Sequence, residues 1–279
     1  MIFVNDSIRS LQQSGDQVVI YTKGRKGGYA YDAVIGADGP DSQIRNLAFP
    51  DAVRLKQPKF LGTTFIQLIV PYSSEITLHP DGVREWWSAT KRFAVMPLDD
   101  SKQKLLVFAS LLNQTRSDAM DPTSAIRFIH EHFKVLRRHK VVSFINSLRR
   151  GNLLQAQAFC SNPGGFYSQT DLHGNVLLVG ESAHAIHPTL FQREAIGIED
   201  AYVLGKKLSD TSIPTVRQAL EQYSSERASR INQLQSLSRA QNSSVHFSWP
   251  FKAIRTALMP LGLSLWRKNC MSRAFKPIE

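Results

Sequence analysis

Glu181, His187, Arg193 and Glu194 crowd into one stretch, GESAHAIHPTLFQREAIGIEDA over residues 180–201. Two carboxylates, an imidazole and a guanidinium placed so closely offer an acid, a base and a fixed positive charge. Burial raises the pKa of a carboxyl and fits it to exchange a proton with a substrate. Glu194 is therefore the candidate general acid or base, with Arg193 and His187 as its charged neighbours; which of these groups moves the proton stays open. The stretch follows a strand-like run at Val176–Val179 and leads into a helical pattern, so these side chains belong to a strand-to-helix turn.

The elements that must hold this turn are legible on both sides of it. QVVIYT (17–22) and YDAVI (31–35) are short β-prone runs separated by the turn-rich KGRKGG, which predicts a hairpin or meander followed by a buried strand. FIQLIV (65–70), VREWWS (83–88), RFAVM (92–96) and LLVFASL (105–111) follow, spaced by turns as in an antiparallel sheet. A helix is expected over 123–133, capped by Asp121 or Thr123, and a long one over about 215–240, where Val216, Leu220, Tyr223, Ile231, Leu234 and Leu237 recur at helical spacing. The fold class is mixed α/β.

Composition removes several functions. The two cysteines, Cys160 and Cys270, lie far apart without metal-ligand spacing, so neither a disulfide framework nor a metal site is expected, and a reducing, cytoplasmic setting fits. The N-terminus has no apolar stretch of signal-peptide length, and the mature chain is expected to begin at Met1. The net charge is +11, and from Lys206 onward 12 Lys or Arg face 4 Asp or Glu. No nucleic-acid motif accompanies this excess, so nucleic acid is not an expected partner. Residues 247–268 mix Trp249, Phe251, Leu258 and Trp266 with Lys252, Arg255 and Arg267. They are too interrupted to span a bilayer, yet suited either to lie on an anionic membrane surface or to pack on their own domain.

Two segments carry a family resemblance. DAVIGADGPDSQIR (32–45) resembles the DG motif, and GNVLLVGESAHAIHPTL with IEDA (174–201) the GD motif, of the aromatic-hydroxylase-like flavoprotein monooxygenases; Tyr223–Arg227 follows as a YxxxR-type helix. The resemblance implies a flavoprotein-hydroxylase fold with an FAD-domain remnant, an antiparallel substrate-domain sheet and C-terminal helices. It divides the chain into 1–55 with the DG motif, 56–120 as the substrate-covering sheet, 121–205 returning through the GD-like segment, and 206–279 as basic helices. It further implies that the sheet walls an apolar pocket, which makes Phe65, Gln67, Trp86, Phe93, Met96 and the loop residue Phe191 the substrate-binding candidates. Trp86 and Trp87 must point to opposite faces.

The sequence departs from the family pattern GDxAHxxxPxxGQGxNxxxEDA. Glu181 stands where the family has the Asp that holds the flavin ribityl chain, Phe191 and Arg193 replace two glycines, and Ala195 replaces Asn. The family's GxGxxG turn, which holds the FAD pyrophosphate, has no match. Asp38, Gly39, Gly180 and Glu181 are then vestiges of a cofactor site, and no cofactor is expected. The function expected on this basis is a flavin-independent, non-redox cyclisation, isomerisation or pericyclic reaction on a small apolar metabolite, by a monomer or a homo-oligomer. Two alternatives stand beside it, an FAD-dependent monooxygenase of secondary metabolism and a non-catalytic accessory protein.

Overall fold

The structure is a computed structural model and describes residues 6–50, 62–73, 82–88, 90–98, 103–112, 121–133, 141–152, 155–160, 172–184, 186–245 and 254. The chain falls into two compact units: Met1–Lys59 with Asn162–Arg239 and Asn269–Glu279, and Phe60–Ser161 with Ala240–Lys268. The segment 247–268, apart from Ile254, lies outside the described residues. Among the described residues no helix is long and apolar enough to cross a membrane.

The first unit begins with an antiparallel meander, β1 (Ile8–Ser14), β2 (Gln17–Thr22) and β3 (Gly28–Tyr31). The run expected as one strand at 31–35 is divided. Tyr31 ends β3 opposite Val18, and the chain then crosses to a different sheet as β4 (Val34–Gly36). The crossing is fixed at Asp32, whose carboxylate accepts from Gln17 and whose carbonyl accepts from the Asn175 amide. β4 pairs in parallel with β11 (Val176–Leu178), far along the chain, and β10 (Leu172–His173) flanks β11.

Both faces of this small sheet are covered. On one side Val34, Val176 and Leu178 pack with Val18 and with Ile44 and Ala48 of helix α1 (Gln43–Ala48). On the other, Leu177 packs with Val203, Leu204, Leu220 and Tyr223. These come from two helices, α4 (Arg193–Ser209) and α5 (Val216–Val245). Such double burial explains why 176–179 reads as an unbroken apolar run rather than an alternating one.

The second unit is a five-stranded antiparallel sheet in the order β6-β7-β8-β5-β9. Its strands are β5 (Thr63–Pro71), β6 (Arg84–Trp87), β7 (Lys91–Pro97), β8 (Lys104–Leu112) and β9 (Gln155–Cys160). Helices α2 (Pro122–His132) and α3 (Val141–Ser147) cover one face through Ile126, Ile129, Phe144 and Ile145. Asp121 caps α2 by accepting from the Thr123 and Ser124 N–H groups at 2.8 and 3.3 Å, and Pro122 sits in the first turn, where no N–H is needed.

Gly36 is the tightest point between β4 and its surroundings. An added Cβ would lie 2.7 Å from Leu178 Cδ2 and 2.8 Å from Ile44 Cγ2. Gly36→Ala should therefore force β11 and α1 apart and lower stability by about 1–3 kcal/mol in a urea titration, as overpacking does. An unchanged midpoint would show that the two side chains yield without cost.

Candidate functional site

The strand-to-helix turn is organised around one buried acid. Gly180 takes φ +58, a left-handed conformation that suits glycine, and this points its N–H at Asp200 Oδ2, 2.8 Å away. Asp200 is fully buried in α4 and also accepts from His184 Nε2 at 2.6 Å and from Arg227 Nε at 2.7 Å. Arg227 reaches Glu199 as well, at 3.0 Å, and Arg230 joins the same Glu199 carboxylate at 3.0 Å. The turn, α4 and α5 are thus tied by a single charged network.

Burial pushes the Asp200 carboxyl up, but the hydrogen bond and charge of His184, the Arg227 guanidinium and the Gly180 N–H outweigh it and hold the pKa below the usual carboxylate range. Burial likewise pulls Arg227 down, while Asp200 and Glu199 lift it above its ordinary value. Since Asp200 is ionised, His184 Nε2 carries the proton it donates.

The DG and GD segments are linked to each other by backbone groups. Asp38 accepts from the Ser42 hydroxyl and from the Gln43 and Ile44 N–H groups, which caps α1. Gly39, at φ +79, makes the turn before it. Arg45 of α1 then donates to the Ser182 carbonyl at 3.0 Å, and the Ser182 hydroxyl points at the Gly36 and Val179 carbonyls.

Of the proton-bearing candidates, the structure brings two together. Arg193 donates through Nε and Nη2 to Glu181 Oε1, forming an ion pair with both side chains part-buried. Glu194 stands exposed in the first turn of α4, so the burial expected of a general acid is absent there, and Glu181 is only partly covered. His187 is buried, with Nδ1 against the Thr189 hydroxyl. Phe191 adopts φ 56 and ψ 34, the left-handed turn of a glycine, although it carries a side chain. After it, Gln192 precedes α4 and its side chain makes no capping bond, so the positive end of the helix lies at this turn.

The sheet of the second unit divides the other candidates by register. Trp86 and Phe93 go to the helix-covered face, with ring centroids 6.0 Å apart and Phe93 5.7 Å from Phe133. They are core, and Trp87 rather than Trp86 takes the opposite face. That face carries Phe65, Gln67 and Met96, together with residues that the sequence reading missed. Phe65 lies 5.4 Å from Phe108, and Arg92, 1% exposed, stacks over the Phe108 ring at 5.2 Å. Arg92 is paired with Glu85, which also accepts from Trp87 Nε1. The signal was available: Arg92 shares the parity of Ala94 and Met96 in β7, so alternation alone puts a charge on that face.

With this geometry in place, the relatives can be compared. The profile of a family described as "FAD binding domain" matches residues 2–238. The chain belongs to the FAD binding domain family. This FAD binding domain is 25% identical over 218 residues to kynurenine 3-monooxygenase of Debaryomyces hansenii, a match that covers 75% of this chain and 44% of that protein. It thus spans less than half of that relative's length. HpxO of Klebsiella pneumoniae, solved with FAD and uric acid, superposes with a TM-score of 0.78 at 18% identity over 96% of this chain and 66% of HpxO. The Diels–Alderase PyrE3 of pyrroindomycin biosynthesis superposes with a TM-score of 0.68 at 20% identity over 96% of this chain and 55% of PyrE3.

These findings overturn the expectation that the chain takes no cofactor. The family is an FAD-binding one, and HpxO is solved with FAD. The physical reason the expectation failed lies at Phe191. The expectation rests on the missing GxGxxG turn and on side chains at 191 and 193, whereas Phe191 holds the left-handed backbone that a glycine would give and the Gln192 side chain makes no capping bond at the start of α4. The residues present fit the polar edge of a flavin. Backbone N–H groups stand at the positive end of a helix, and Glu181 keeps Oε2 for a hydroxyl while Oε1 serves Arg193.

The depressed pKa of Asp200 makes a contribution to folding that is present above the unfolded carboxyl value of about 3.9 and is lost as the pH falls through the lower folded value. Unfolding free energy should fall with acid below about pH 4, with a shallower fall in Asp200→Asn. Arg227→Met should strip Oδ1 of the buried Asp200 of its cationic donor, with His184 and the Gly180 N–H left on Oδ2, and cost about 3–5 kcal/mol at neutral pH. A loss below about 1 kcal/mol would place the network outside the stability core.

Proposed function

We propose that this chain is the FAD-binding and substrate-covering part of a monooxygenase that hydroxylates a small, largely apolar ring compound. The observation that carries the reading is the turn at Phe191, which keeps a left-handed backbone at an uncapped helix start despite the cost of a side chain there. Its relatives support the reaction class, being named as monooxygenases and hydroxylases. When bound, FAD supplies electron transfer and oxygen activation.

The chain's own residues then do the binding and orienting. The Gly180 turn is locked by Asp200, so Glu181 would hold a ribityl hydroxyl and the first N–H groups of α4 would hold the electron-rich edge of the ring. On the sheet, the part-buried Gln67 and Met96, backed by the buried ring of Phe65, offer a substrate an apolar surface with one amide to orient it. Arg92, Glu85 and Trp87 stiffen that surface by satisfying one another.

A second reading, in which the same sheet face guides a cyclisation with no net redox change, is favoured by the likeness to the Diels–Alderase PyrE3. Such a step needs mainly orientation, which a preformed apolar surface supplies.

Titration of the purified chain with FAD, followed by flavin fluorescence, should saturate at one FAD per chain well below about 1 mM. The loaded protein should oxidise NADH or NADPH faster when an aromatic acid such as 3-hydroxybenzoate is added. No saturation by millimolar FAD would remove the monooxygenase reading. Product formed without nicotinamide or oxygen would select the cyclisation.

A further inference from the structure

We propose that Arg193 places a fixed positive charge against the bound flavin and stabilises its anionic reduced form, with Glu181 as the residue that positions it. The inference deepens the FAD-binding reading and rests on it. Arg193 is the first residue of α4, at the same helix end whose N–H groups lack a side-chain cap. Its guanidinium is not left to wander. Nε and Nη2 both donate to Oε1 of Glu181, which comes from the separate turn after β11. The side chains are 20% and 27% exposed, so the pair is partly withdrawn from water and its field is less screened than that of a surface pair.

The two residues also depart from the family pattern as a matched set. A longer acid at 181 and a cation at 193 stand where Asp and Gly are expected, and the two meet as an ion pair. Both bonds of the pair use Oε1 of Glu181.

Reduction gives the arrangement its consequence. Two electrons from the reductant and one proton convert the neutral oxidised ring to its anionic reduced form, in which the negative charge lies on the pyrimidine half. A nearby cation favours that form over the oxidised one, and a nearby anion disfavours it.

The test is a reductive titration of the FAD-loaded chain with dithionite against a redox dye, in parallel with Arg193→Gln, Glu181→Gln and Arg193→Lys. Arg193→Gln should lower the midpoint potential by at least the equivalent of a tenfold change in equilibrium constant, about 30 mV for a two-electron couple. Glu181→Gln keeps an acceptor for Arg193 but loses the negative charge, so it should raise the potential. Arg193→Lys should restore most of the wild-type value. A merely structural pair would move melting temperature and leave the potentials together. Equal potentials in the wild type and Arg193→Gln, or shifts of the same sign in Arg193→Gln and Glu181→Gln, would overturn the inference while the FAD reading stands. A wild-type chain that takes up no FAD would overturn both.

Discussion

A carboxylate sealed from water must be met by donors or it unfolds its own surroundings, and Asp200 sets that requirement for the whole first unit. Its partners come from the turn after β11, from the loop at His184 and from α5. Each is useful only if the others are in place, since an ionised group in a poorly solvating interior is stable only when its acceptor capacity is filled. Strand, turn and two helices are therefore fixed together, and the start of α4 inherits its position from an acid two turns further along the same helix.

The second unit is built on a different principle. Its sheet is held by apolar packing against α2 and α3 on one face, while the other face carries a charged pair, Arg92 with Glu85, backed by aromatic rings. A guanidinium stacked on Phe108 and hydrogen-bonded in its plane satisfies both its polar edge and its flat surface. The cluster stiffens that face while keeping the Arg92 guanidinium out of water.

Much of this was legible in the sequence because period and composition speak directly about burial. The strands at 65–70, 92–96 and 105–111, the helix capped by Asp121 and the long helix from Val216 all lie where alternation or helical spacing puts them. Asp38, a vestige of the cofactor site by resemblance, caps the start of α1. What the sequence concealed was partnership across distance. Nothing local marks Asp200 within IEDA as the centre of a network until Arg227, 27 residues further along the chain in α5, is seen against it. YDAVI reads as one strand because nothing in its composition marks Asp32 as the place where the chain leaves one sheet for another. Trp86 and Trp87 are chemically alike, so parity could say that they part company but not which one enters the core.

Phe191 also bears on how the chain could have changed over time. A backbone held at φ 56 by its neighbours does not need glycine to exist; it needs glycine only to exist without strain, at a cost of about 1 kcal/mol or more for another residue. The shape of the turn and the identity of the residue in it are therefore separable traits. Substitutions could accumulate at this corner one at a time, each reversible, without passing through an intermediate that had lost the loop. The architecture holds this turn whichever residue occupies it, so the side chain at 191 answers to what it touches rather than to the shape of the loop.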